Sequence, residues 1–499
     1  FINKLAICAA GVTKQPLSQS QIWHLACDSS GIKNACGMEI NMKSSDFNIE
    51  VPVFTDRQAV ITEYGAVKND SSIQTSKKNA NAINSAMEEM SSLGGGTVVI
   101  PAGMWITGPI SFKSNVRLYL ESQAVLKFSK NIEEYPLILT NYEGQECIRT
   151  VSPITADGVE NIAICGRGVI DGSGDLWRPI KQFKLTERQW NKLKEKSSFI
   201  IETKEGGIWF PTESAFDGNE KNIQKSEADA LKKAERYYDF YRPVMVSLKN
   251  CNKVLLEDAT FMNSPAWNIH PFFCNNLTVR GIHVNNPYHA QNGDGIDIES
   301  CNGVHVHDCV FETGDDAICM KSGKNAEART FDGPCENIYI HDCIVNEGHG
   351  GFVVGSEMSR GVRHILVKDC TFLGTDVGVR FKSALGRGGV VEDIDIQNIN
   401  MLNIKNEAII MSMSYVLNLL NRNEETPEVN EEDVPFFKNI RFENISCMGA
   451  DTAIKIEALN GRPDTITDIT IKDSYFKAEH DNKLNGSVIE CADTTFDIV

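Results

Sequence analysis

Apolar residues alternate with other residues at period two in a set of short stretches that share one frame. Aligned on their last serine they are GIDIES ending at Ser300, AICMKS at Ser322, GFVVGS at Ser356 and GVRFKS at Ser383, with AIIMSM and AIKIEA continuing the series less strictly. Alternation of this kind sends successive side chains to opposite faces of a strand. It predicts one inward column from Ile296 and Ile298, Ile318 and Met320, Phe352 and Val354, and Val379 and Phe381. The outward column holds Asp297 and Glu299, Cys319 and Lys321, Val353 and Gly355, and Arg380 and Lys382. A second strand per repeat recurs as VLLEDATF, LTVRGIHV, VHVHDCVF, IYIHDCIV, ILVKDCTF, IDIQNINM, IRFENISC and ITIKDSYF. The serines lie 22 to 34 residues apart, too close for βαβ units with full helices and suited to one turn of a solenoid. The pattern predicts an all-β chain wound as a parallel β-helix.

An open solenoid end exposes core and unpaired strand backbone, so it needs a cap. SKKNANAINSAMEEM, residues 76–90, has helical spacing just before GGGTVVIPAG and predicts an amphipathic capping helix. Residues 175–242 break the repeat with Lys, Glu and aromatic residues, among them Trp177, Trp190 and Trp209. A loop of that length in a compact fold predicts a partly helical insertion beside a functional groove. Residues 56–499 are therefore read as one β-helix domain. Residues 1–55 are read as a leader, whose part from about 13 to 55 is either poorly ordered or a strap across the first coils.

Composition narrows the function classes. A formal charge of −18 argues against general nucleic-acid or anionic-lipid binding, which a basic excess would announce. It does not exclude an acidic polysaccharide, because screening over about 8 Å lets a local cationic cluster dominate a groove. No apolar run reaches the roughly 18 residues a membrane helix needs. The 15 cysteines include no Cys-x-x-Cys pair, so neither a zinc ribbon nor a thioredoxin-type site is indicated. Cys309, Cys343 and Cys370 follow equivalent strands, where they are either stacked small hydrophobes or members of disulfides. LAICAAGV after Lys4 is a weak trace of a secretory signal.

The strand frame also stacks the residues just before each strand. Asp294 falls over Asp316, and Asp315 falls beside His349 of EGHGG. With neighbouring strands about 4.8 Å apart, these groups crowd one outer surface. Arg380 and Lys382 share that face one coil further on. Cleavage of a glycosidic bond needs a carboxylic acid to protonate the leaving oxygen and a second carboxylate to activate water or attack the sugar. Crowded like charges push one pKa up and so supply both protonation states. Arg380 and Lys382 suit a substrate carboxylate. Taken singly, Gly-Asp-Asp reads as a solvated turn, His349 as a turn residue, and Asp297 with Glu299 as a charged strand edge. Their coincidence on successive coils is what points to a site.

At these residues the chain resembles family 28 of the glycoside hydrolases, the polygalacturonase family. The resemblance is carried by NGDGID from Asn292 to Asp297, GDDA from Gly314, GHG from Gly348 and RFK from Arg380, in the family's order, and runs from about Glu63 to the C-terminus. It implies a single-stranded, right-handed, pectin-lyase-like β-helix that hydrolyses galacturonan-type pectin or its oligomers. It places the general acid on Asp315, the activation of water on Asp294 and Asp316, and tuning of the acid on His349. Arg380 and Lys382 would bind the galacturonate carboxylate, Asn292 and Asp297 belong to the same binding set, and His270 and Trp177 are candidate subsite residues. Inversion is implied, with a gap of about 6.5–9.5 Å between carboxyl groups. No metal or organic cofactor is implied, and the expected setting is a secreted or periplasmic monomer. Gly293 stands where many endo-acting members carry Thr, and GSEMSRGVR with the insertion is more like bacterial exo-acting relatives. The nearest rivals are a calcium-dependent pectate lyase, a hydrolase of rhamnogalacturonan or substituted galacturonan, and a non-catalytic carbohydrate-binding solenoid.

Overall fold

The computed structural model describes residues 32–34, 42–331, 333–415, 430–485 and 487–499. Thirty-three strands join in one array whose neighbours pair in parallel from coil to coil, a right-handed parallel β-helix. The register reproduces the serine frame. Ile296 pairs with Ile318, Phe352 with Ile318 and Val379, and Ile409 with Val379 and Ile454. The inward column from Ile296 to Phe381 is at most 1% exposed, so the alternation does mark the core.

The corners explain another part of the repeat. Asp308, Asp342 and Asp369, each just before a cysteine, take φ of 55°, 50° and 53°. Asp and Asn tolerate this left-handed conformation better than most side chains, and here it turns the chain between two strands of a coil. The cysteine that follows points inward: Cys309, Cys343 and Cys370 are buried, and each Sγ donates to the carbonyl two residues earlier. Cys309, Cys343 and Cys370 are free thiols, so they act as stacked small hydrophobes.

The cap is a helix, Ile73–Ser92, longer than expected by a turn in all. Ser72 caps it by accepting from the Thr75 amide. Ile83, Ala86, Met87 and Met90 lie buried in the main core, closing the first coil. Residues 1–31 and 35–41, including the proposed signal remnant, lie outside the described residues. Residues 42–55 form a strap, but one that crosses far more than the first coils. The Met42 amide donates to Asp395 at 3.0 Å, Phe47 stacks on Tyr339 and His364, and the Val53 amide donates to Asn161. Thr55 then bonds the Gly95 carbonyl beside the cap.

Two excursions leave the coils on the site's side. The expected insertion departs after the strand Val169–Asp171 and returns at Val246–Lys249. It contains the helices Glu187–Lys194 and Glu213–Lys221 and a small antiparallel sheet of Ile180–Lys181, Ile200–Thr203 and Gly206–Trp209. The second, unforeseen in the sequence, is an antiparallel hairpin of Leu137–Tyr142 and Gln145–Thr150. With these in place, much of the outward strand face is covered: Asp297, Glu299, Cys319, Lys321, Val353 and Lys382 are all buried. No described helix is long and apolar enough to cross a membrane.

Candidate active site

The strand register brings the expected carboxylates together. Asp294, two residues ahead of the strand Ile296–Glu299, is in register with Asp316, which opens the strand Asp316–Lys321, and Asp315 stands beside His349 one coil on. One carboxylate oxygen each from Asp294, Asp315 and Asp316 lies within 4.8 Å of the others. Asp294 and Asp316 are 3% and 1% exposed, whereas the Asp315 side chain keeps 20% of its surface. The same spacing could seat a divalent cation, although two of the three carboxylates already face a basic side chain.

Those basic side chains sort the three carboxylates. Lys382 Nζ lies 2.6 Å from Asp316. Burial works against the Lys382 ammonium, but Asp316 and Tyr415 beside it together outweigh that and raise its pKa. His349 Nδ1 lies 3.0 Å from Asp315 and its Nε2 3.8 Å from Asp376. Burial pushes the Asp315 carboxyl up, yet the imidazole's charge and hydrogen bond, with Lys382 and the Asp316 amide, hold it well below the usual carboxylate range. Asp294 goes the other way: burial and the nearby charges of Asp297, Asp315 and Asp316 drive its carboxyl well up. Asp294 Oδ1, Asp316 Oδ1 and both Asp297 oxygens are buried without a hydrogen-bond partner among the described residues. These are acceptors that a water or a sugar hydroxyl would satisfy.

Arg380 is half-buried, with its guanidinium 5.4 Å from the Tyr415 ring, and Lys382 Nζ lies 4.9 Å from the same ring. Tyr415 was not singled out in the sequence. It follows the frame's anchor at Met413 by two residues, where the other coils carry Asn302, Lys324, Met358 and Leu385, so the repeat carries no signal for it. Arg380 has no carboxylate in ion-pair range among the described residues and is available to an anionic ligand.

The remaining expected contacts are placed differently. Asp297 is fully buried, with Oδ1 3.6 Å from Lys321 Nζ, which also pairs with Glu357 at 3.1 Å. His270 is 2% exposed, holds Glu299 at 2.9 Å and sits edge-on to Trp267. Both are recessed, Asp297 against Lys321 and His270 against Glu299. Asn292 accepts from Arg242 of the insertion at 2.9 Å, which anchors the loop before Asp294. Trp177, nearly buried against Tyr135, lines with Arg242 and Asn292 a cavity of about 530 Å³ behind that loop. Gly293 has a steric reason: a Cβ there would come 2.6 Å from Ala290 Cβ and 2.9 Å from its carbonyl oxygen.

With this geometry established, comparison with known proteins is decisive. The family model described as Glycosyl hydrolases family 28 matches residues 206–491, more than half the chain. The chain belongs to glycosyl hydrolase family 28. Within the family it is 26% identical over 426 residues to a probable polygalacturonase of Vitis vinifera, covering 83% of this chain and 74% of that protein. It is 28% identical over 368 residues to the exo-poly-alpha-D-galacturonosidase of Dickeya chrysanthemi, covering 72% of this chain and 57% of that protein. The structure aligns with the hyperthermoactive exopolygalacturonase of Thermotoga maritima at a TM-score of 0.74 and 29% identity, over 91% and 94% of the two chains. This family 28 chain is thus a glycoside hydrolase of polygalacturonase type.

Proposed function

We propose that the chain hydrolyses α-1,4-galacturonosidic bonds of polygalacturonate or its oligomers, working inward from a chain end and inverting the anomeric centre. The observation that carries this reading is the layering of the carboxylates: one reachable carboxyl, Asp315, above two recessed ones. Asp315 is the group a glycosidic oxygen can approach, so it serves as general acid. Asp294 and Asp316 lie too deep to attack a sugar ring directly and act through a water held at their free oxygens. That is the arrangement of inversion, in which water rather than a side chain reaches the anomeric carbon.

Protonation is divided to match. Asp316, ion-paired with Lys382, is the base, and Asp294, whose carboxyl burial and the neighbouring carboxylates push up, helps hold the water. In the free enzyme His349 keeps Asp315 ionised. An arriving galacturonate adds negative charge to the site, which raises the proton affinity of Asp315 and lets it take up the proton of the Asp315–His349 pair. Arg380 and Lys382 draw the substrate carboxylate, as charge-assisted donors do. A soluble polyanion of plant cell walls is reached outside the cytoplasm, and the chain acts as a monomer in a secreted or periplasmic setting.

Exo action is supported by the hairpin. Its tip at Gly144 accepts from the Lys324 amide at 3.1 Å and packs so closely that a Cβ would lie 2.8 Å from Lys324 N and 2.9 Å from Glu357 Cγ. On this reading the hairpin stops the groove at one end, so that it takes a chain terminus and not a chain middle. Gly144 has a φ of +73°, so Gly144→Gln is both strained and too large, and it pushes the hairpin off. Wild-type enzyme on polygalacturonate is expected to release one product size from the first minutes, and Gly144→Gln a wider range of oligomers at equal reducing ends. Mixed oligomers from the wild type would show endo action instead. The three-carboxylate cluster also admits a calcium-dependent elimination, which would lose activity to chelator and yield an unsaturated product.

A further inference from the structure

The insertion brings a lysine into the cavity that holds the reachable acid. Lys184, within the 3-10 turn Gln182–Lys184, lines one cavity together with Asp315, His349, Gly314 and Gln291. Its Nζ lies 3.5 Å from the Gly314 carbonyl and 3.9 Å from the Tyr288 ring centroid. No carboxylate among the described residues stands in ion-pair range of it. Lys405 approaches the same ring to 4.7 Å, but its ammonium is already paired with Asp376 at 2.9 Å. Lys184 is therefore a largely enclosed cation with a π face and one carbonyl for company, and burial lowers its pKa more than Asp376 and Asp315 raise it. An ammonium taken out of water and left without an anion is a cost that the fold recovers when an anion arrives.

We propose that Lys184 is a carboxylate ligand for the bound galacturonan, supplied by the insertion, and that pairing with the substrate releases Asp315 to take its proton. The proposal rests on the hydrolase reading above and extends it. In the free site Asp315 faces His349, Lys382 and Lys184 as cations and Asp294, Asp316 and Asp297 as further carboxyls. Lys184 in turn faces Asp376, Asp315, Lys405 and Lys181. When a substrate carboxylate neutralises Lys184, one of the charges that favours ionised Asp315 is cancelled at close range. The acid is thus armed only with a uronate in place. A neutral sugar chain of the same shape would bind without that effect, which gives the insertion a role in discriminating acidic from neutral polysaccharides.

Two measurements test this. Trigalacturonate binding to the full chain is measured by calorimetry for Lys184 and Lys184→Gln, both in an Asp315→Asn background so that no turnover interferes. Steady-state kinetics on polygalacturonate are then run across pH for wild type, Lys184→Gln and Lys184→Arg. The expected result is about tenfold weaker binding in Lys184→Gln, most at low ionic strength, as for loss of one charge-assisted contact. KM carries the kinetic loss, and the alkaline limb of kcat/KM moves to higher pH because a cation near Asp315 is gone. Lys184→Arg restores both. Unchanged binding together with an unmoved pH limb would overturn the proposal and leave Lys184 as a packing residue of the insertion. The binding arm does not depend on turnover, so an enzyme that bound trigalacturonate through Lys184 but released no reducing ends would refute the hydrolase reading alone.

Discussion

Asp315→Asn is expected to lower kcat on polygalacturonate by about 10²- to 10⁴-fold, the usual worth of a positioned general acid, with KM little changed. Asn keeps the size of the side chain and can still accept from the Asp316 amide, which donates to Asp315 Oδ1 at 3.1 Å. What it cannot do is deliver a proton. Thermal unfolding of the variant, followed by circular dichroism, is expected to remain cooperative and close to wild type, so the loss is one of chemistry. A kcat within tenfold of wild type would move the acid role to another group. Asp294 is the alternative on protonation grounds, but at 3% exposure it lacks the access that Asp315 has.

The second large effect concerns the buried ion pair. Lys382→Met removes the cation 2.6 Å from Asp316 and leaves that carboxylate 2% exposed with no nearby counter-ion of its own. Breaking one side of such a pair costs about 3–5 kcal/mol, far more than the pair contributes over an apolar replacement. The urea midpoint of Lys382→Met should fall accordingly, and activity should be lost with it. Adding Asp316→Asn to that variant removes the stranded charge, so stability should return while activity does not. That asymmetry separates a structural pair from one that serves the reaction. An unchanged urea midpoint in Lys382→Met would mean that Asp316 is wetter, or better supported by other groups, than its burial indicates.

The fold was legible to the extent that each coil repeats one local rule. A serine-anchored frame places Ile296, Ile318, Phe352 and Val379 in one column because period-two alternation leaves no other face for the core. The same frame set Asp294 over Asp316 and Asp315 beside His349, so the heart of the site could be read from register alone. What could not be read came from segments that leave the frame. The hairpin Leu137–Tyr142 and Gln145–Thr150 folds on itself and then against Lys324 and Glu357, contacts set by tertiary packing with no periodic trace. The outward residues Asp297 and Glu299 looked like an exposed strand edge only because the covering elements were invisible. The pairing of His270 with Glu299 was equally out of reach of residue type alone. Lys184 and Tyr415 approach the site from the insertion and from beyond the last strict repeat, where a residue type alone carries no address.

The carboxylate layering makes one claim above the others: water, positioned by recessed Asp294 and Asp316, attacks while Asp315 protonates the leaving oxygen. Proton NMR of trigalacturonate, recorded from the first minutes of reaction with chelator present, reads that claim directly. The new reducing end is expected to appear first as the β anomer and to relax to the α/β mixture afterwards, with no signal from an unsaturated residue. An α anomer appearing first would mean that a side chain attacks the sugar and water follows. An unsaturated product, or its loss to chelator, would mean that the three carboxylates hold a cation for elimination.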